Sequence, residues 1–224
     1  MPRPAAVLLA VVLLAACSPR PSTQPDMWRH FTQAGEVQSA VIAGDLDRAK
    51  AGTAQVAESD PLKGLASSLR PYDVALRDAA RRGGPARTLA EVASVTGQIG
   101  KSCGDCHRAA GASLAFNYVA APAESDQPVM GAMLRHRWGA DMMWNGLVGP
   151  SDSAWVAGAN ALAEESTYSE LFNPRSAKGD SMRVLAAQVR RLGHDAAATK
   201  DPARQARLYG ELLGTCTTCH KIAR

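Results

Sequence analysis

The stretch LAEVASVTGQIGKSCGDCH, residues 89–107, decides how this chain folds. Leu89, Val92, Thr96, Ile99, Cys103 and Cys106 recur at alternating steps of three and four, which is the period of a helix with one apolar face. Both cysteines continue that face, and His107 follows the second of them. Residues at i, i+3 and i+4 project from the same side of a helix. Cys103, Cys106 and His107 are therefore expected to offer two sulfurs and an imidazole to one surface.

The arrangement has a second copy. GTCTTCHKIA, residues 214–223, repeats the C-x-x-C-H spacing at Cys216, Cys219 and His220. Above it Leu208 and Leu212 extend the stripe of Cys216 and Cys219. The segments around the motifs match as well: TGQIGKSCGDCH pairs with YGELLGTCTTCH at an offset of 113, placing Gly97 opposite Gly210. Nearer the start of each half the offset is 106, so that MWRH at residues 27–30 recurs as MLRH at 133–136 and Ala34 falls on Ala140. The same offset carries Ala51 and Gly52 onto Ala157 and Gly158, and Ala57 and Glu58 onto Ala163 and Glu164. The extra residues in the second half fall between early and late segments, where surface loops absorb insertions cheaply. The chain thus reads as a duplicated unit with a seam at FNYVAAPAESDQP, residues 116–128, whose Pro, Ser and acidic content mark a linker.

Each half divides into four helical segments. In the first, Met27, His30, Phe31, Ala34, Val37 and Val41 form an amphipathic stripe broken at residues 44–46. A second segment covers about 45–58, a third runs from after Pro71 to the RGGP at 82–85, and the fourth carries the first motif. The corresponding segments of the second half cover about 129–148, 151–165, 176–197 and 202–222. Four helices with short connections predict an antiparallel up-and-down bundle, hence an all-α fold of two tandem four-helix bundles over 26–115 and 129–224.

Composition agrees. Of 224 residues 46% are hydrophobic and 21% charged, with aromatics only 5%. Such Ala-rich, β-branch-poor sequence favours helices, around a core mostly of Ala, Leu, Val and Met. The net charge of +4 is modest and its basic residues alternate with acids, a pattern that excludes a nucleic-acid tract.

The first residues, MPRPAAVLLAVVLLAAC, hold one base and an apolar run far shorter than the roughly 20 residues of a membrane span. They read as an export signal over 1–16. LAAC at 14–17 resembles the lipobox of bacterial lipoproteins, which implies lipidation at Cys17; plain signal cleavage, with Cys17 an incidental thiol, is the alternative. Residues 17–25, rich in Pro and Ser, then read as a tether to the membrane. Export places the chain in the periplasm or cell envelope, where paired thiols are normally oxidised. The four remaining cysteines are accordingly a disulfide framework, metal ligands or attachment sites for a cofactor.

C-x-x-C-H is the pattern of c-type haem attachment: two thiols add to the vinyl groups as thioethers and the histidine reaches the iron. A thioredoxin-like reading requires a preceding strand, which neither motif has. Four sulfurs form a zinc site on paper, but each pair ends its own repeat and carries its own histidine. Two disulfides leave both histidines without a purpose. Two covalent haem c groups are expected, held by Cys103, Cys106, Cys216 and Cys219, with His107 and His220 as proximal iron ligands.

A four-helix unit with CxxCH near the end of its last helix resembles the class II c-type cytochromes, the cytochrome c′ and c-556 group, here in two tandem copies covering the chain beyond its leader. The family implies where to seek the opposite ligand: c-556 proteins use a Met near the start of the first helix, and c′ proteins leave that side open. In this chain Met27 with His30, and Met133 with His136, lie one turn apart on that helix. His30 and His136 are the expected distal ligands, Met27 and Met133 the alternatives, and an open site the third possibility. Arg29 and Arg135 are placed to meet haem propionates or to lie on a solvated face. Trp138, Trp144 and Trp155 occur only in the second half, in its core, its pocket or the contact between halves. The expected function is single-electron transfer between redox protein partners at the membrane, with no enzymatic constellation such as GxSxG, HExxH or a P-loop. The alternatives are an NO- or CO-binding protein and a dihaem peroxidase.

Overall fold

The computed structural model describes residues 24–59, 66–112, 114, 120–123, 126–164 and 176–224. The expected leader, Cys17 and most of the tether lie outside these residues, as do parts of the 116–128 seam. Among the described residues the chain is all-α, with eight helices, a short 3-10 turn at Ser67–Leu69 and no strand. The helices are α1 (Gln24–Ala43), α2 (Leu46–Glu58), α3 (Arg70–Arg81), α4 (Leu89–Ala110), α5 (Pro128–Val148), α6 (Asp152–Ala163), α7 (Ala177–Ala197) and α8 (Pro202–Ala223). No helix among the described residues is long and apolar enough to cross a membrane.

Local chemistry sets the boundaries. Thr88 and Glu91 form a reciprocal capping box that starts α4, with the Thr88 hydroxyl accepting from the Glu91 amide at 3.2 Å. Asp45, Ser151, Ser176 and Asp201 cap α2, α6, α7 and α8 in the same sense, and Pro202 fills the first helical position of α8. Two turns need a left-handed residue and both have glycine: Gly44 (φ 75°) between α1 and α2, and Gly111 (φ 61°) at the end of α4.

Within the first half α1 packs on α2, α2 on α3, α3 on α4 and α4 on α1; α5 to α8 contact one another in the same cycle. The halves meet chiefly where α4 lies against α8, with α1 touching α8 and α5 touching α4. One buried cluster runs through both halves, from Val37, Val92 and Ile99 to Trp144, Leu147, Trp155, Tyr209 and Leu212. Trp155 and Tyr209 are among the largest fully buried side chains, so aromatic bulk supplements the expected aliphatic core in the second half. The Trp155 indole donates to the Ala196 carbonyl at 2.8 Å, which ties α6 to α7.

The contact between α4 and α8 depends on absent side chains. A Cβ at Gly97 would stand 2.1 Å from the Ala206 carbonyl oxygen, and one at Gly210 would stand 2.9 Å from the Ser94 Cα. These two glycines are the pair matched by the repeat. The contact is therefore reciprocal, each half presenting the same face to the other, as in an isologous dimer.

Candidate functional site

The amphipathic stripe of α4 carries Cys103 and Cys106 into the space between α1 and α3. There a cleft of about 490 Å³, including its open mouth, is lined by Met27, His30 and Phe31 of α1, Tyr72 and Asp73 of α3, and Cys103, Cys106 and His107 of α4. Trp144 and Val148 of α5 close it from the other half. A second cleft, about 830 Å³ counted the same way, is lined by Met133, His136 and Arg137 of α5, Leu185 and Ala186 of α7, and Cys216, Cys219 and His220 of α8. Ile42 of α1 is its contribution from the first half. The structure thus brings each motif together with the M-x-x-H of its own half.

Hydrogen bonds fix which nitrogen of each imidazole is free. Nδ1 of His107 lies 2.7 Å from the Val148 carbonyl oxygen, and Nδ1 of His220 lies 2.6 Å from that of Ile42. A carbonyl only accepts, so Nδ1 carries the proton in both and Nε2 keeps its lone pair. This is how ligating histidines are usually oriented. The acceptors come from opposite halves, and Ile42 and Val148 correspond through the repeat.

His30 follows the same logic through a hydroxyl. Ser59 Oγ donates its one proton to the Val56 carbonyl at 3.0 Å, so at 2.8 Å it accepts from Nδ1–H of His30. Nε2 of His30 is then a bare lone pair, and it is buried without a hydrogen-bond partner among the described residues. Burial holds the His30 imidazolium down, to about 4, with Arg77 and His107 acting in the same direction and Asp73 opposing. His136 is held to about 4 as well, by burial first and then by Arg135 and His220. Both are neutral imidazoles near pH 7, the form that binds metals.

The thiols are the reverse of reactive. Burial pushes Cys103 and Cys216 up to about 12, each with its neighbouring cysteine adding. Cys106 is raised by burial and Asp73, and Cys219 by burial. A disulfide oxidoreductase needs a cysteine whose pKa is lowered, so these pairs do not suit thiol exchange. All four are free cysteines. Among the described residues no group of three or more His, Cys, Asp or Glu side chains is placed to hold a bare metal ion. Each cleft thus gathers two sulfurs and two imidazoles among mostly apolar side chains, with Asp73 in the first lining and Arg137 in the second.

Other expected residues fall differently. Arg29 is exposed and paired with Asp26 at 2.7 Å, so it does not face the cleft. Arg135 is half-buried beside His136. Trp155 is in the core, Trp138 is half-buried, and Trp144 lines the cleft of the first half, stacked on Tyr209 with ring centroids 5.9 Å apart. Met27 and Met133 line the clefts alongside the histidines. The sequence reading missed Ser59, Asp73 and the two carbonyls. Asp73 and Arg77 had a visible i, i+4 signal, whereas a backbone carbonyl has none. No protein-family model, curated protein or solved structure matches the chain.

Proposed function

We propose that the chain is an envelope-anchored dihaem c-type cytochrome that carries single electrons between redox protein partners, built as two tandem four-helix units over 26–115 and 129–224. One observation carries the reading. In each half a CxxCH motif and the M-x-x-H of the first helix line one cleft, and the motif histidine is oriented with Nε2 bare.

Haem iron, when bound, supplies a one-electron couple. The residues of the chain do the rest. Cys103 and Cys106 in the first cleft, and Cys216 and Cys219 in the second, would hold the group through thioether bonds. His107 and His220 would present Nε2 to the iron, their Nδ1 protons held on the Val148 and Ile42 carbonyls. His30 would present its bare Nε2 from α1, and His136, which lines the second cleft, is its matched residue there. Buried walls such as Ala34, Leu76 and Ala140 exclude water, so that little has to reorganise when the charge changes. Cys17 would anchor the chain in the membrane, confining it near donor and acceptor in the periplasm.

The roomier second cleft favours a second reading, in which that site keeps an open face and binds NO or CO. Mass spectrometry of the exported protein, with absorption and low-temperature paramagnetic resonance spectra, tests both. Two covalent haems, low-spin in both oxidation states and inert to CO, are expected. A wild-type protein that is high-spin and binds CO at both sites removes the electron-carrier reading, and one without covalent haem removes both.

A further inference from the structure

We propose that the two sites differ in reduction potential because opposite charges face them, the Asp73 carboxylate at the first and the Arg137 guanidinium at the second, so that an electron entering the first site passes on to the second. The inference rests on the dihaem reading above.

The repeat makes the comparison direct. An offset of 113 carries Tyr72 and Leu76 onto Leu185 and Val189, which line the second cleft as their counterparts line the first. The same offset carries Asp73 onto Ala186. At the offset of 106 that applies to α1, Phe31 falls on Arg137. Among the described residues each cleft therefore has one full charge in its lining, and the signs are opposite.

Orientation sharpens the contrast. Oδ2 of Asp73 accepts from Arg77 Nε at 2.9 Å, and Oδ1 is buried with no hydrogen-bond partner among the described residues. Arg77 does not line the cleft, so the negative end of the pair faces it. In the second half the guanidinium of Arg137 donates to Asp141 at 2.8 Å, and it is the positive end that lines the cleft. A carboxylate beside a redox centre favours the oxidised state, which carries one more positive charge, and a guanidinium favours the reduced one. The Asp73 side chain is 16% exposed and Arg137 45% exposed, so solvent and salt screen the second charge more. Asp73 is the larger of the two determinants.

The step balances simply. An external one-electron donor reduces the first site, the electron leaves it, the first site is oxidised and the second reduced. No bond forms or breaks. A partner protein of higher potential then takes the electron from the second site.

A spectroelectrochemical titration of the full-length protein tests this. Wild type should give two one-electron waves separated by at least a tenfold preference, about 59 mV. Asp73→Asn, which keeps the shape and removes the charge, should raise the lower wave and leave the upper in place. Ala186→Asp should lower the upper wave, and Arg137→Gln should do so by less. Coincident wild-type waves overturn the proposal, as does Asp73→Asn shifting the upper wave or neither. A protein with no covalent haem and no wave overturns instead the reading beneath it.

Discussion

Gly97→Ala should destabilise the protein although alanine is the better helix former. In the interior of a helix the exchange by itself gains about 1 kcal/mol. Against that, the new Cβ would sit 2.1 Å from the Ala206 carbonyl oxygen, roughly 0.9 Å inside the 3.0 Å that Cβ contacts respect. The obstacle is backbone, so no rotamer relieves it, and α4 must move away from α8. Overpacking of this kind costs about 1–3 kcal/mol, and with the obstacle this deep the upper part of that range applies, which leaves a net loss of up to about 2 kcal/mol. Two companions set the scale. Gly210→Ala meets the Ser94 Cα at 2.9 Å, a smaller violation though again against backbone, and should lose less than Gly97→Ala. Gly35 lies within α1 with nothing within 4 Å of its would-be Cβ, so Gly35→Ala should stabilise by about 0.5–1 kcal/mol. Urea unfolding followed by far-ultraviolet circular dichroism measures all three. The reasoning fails if Gly97→Ala proves as stable as Gly35→Ala, since the close approach of the two motif helices would then not exist.

Ser59→Ala removes the acceptor of His30 Nδ1–H and should cost about 1–3 kcal/mol, the penalty of a buried donor left unpaired; a change in the first-site spectrum without one in the second checks the assignment. Thr88→Ala dismantles the capping box of α4 and should lower stability by about 1 kcal/mol in the same urea assay. Acid should weaken the protein prepared without any bound cofactor. His30 and His136 have folded values of about 4 against an ordinary 6.5, so the unfolded chain takes up protons first. Their contribution is complete above about pH 6.5 and is lost as the pH falls toward 4. Urea midpoints across that range should fall, and fall less in a His30→Leu, His136→Leu double variant.

Much of the fold was legible because it is written in local chemistry. The stripe from Leu89 to Cys106 fixed a helix, while the marks at its ends, Thr88 with Glu91 and Gly111, went unread in the sequence and came from the structure. The two clefts were legible to the extent that duplication repeats side chains: M-x-x-H and CxxCH recur, and each pair shares a cleft. What the repeat did not convey is which half completes which cleft. Trp144 belongs by sequence to the second half, yet it lines the first cleft, because α5 packs on α4 through Gly100 and Gly104, positions that read only as small residues on a helix. The orienting carbonyls of Ile42 and Val148 carry no signal at all. Any residue has one, and only the crossing of helices decides where it points.

That crossing links the sites more closely than the duplication implies. Helix α1 carries His30 near its start, in the first cleft, and the Ile42 carbonyl that orients His220 at its end, in the second. Helix α5 does the converse with His136 and Val148. Beside these bonds the halves have diverged at one matched point. The Thr217 hydroxyl donates to the Val41 carbonyl, whereas its counterpart Gly104 has no side chain, and a Cβ there would stand 2.3 Å from the Leu147 carbonyl oxygen. A hydroxyl fits on one side and not even a methyl on the other, so the two helix crossings are not the same depth. Each half thus orients a motif histidine of the other under different local packing, and neither cleft is complete within its own half.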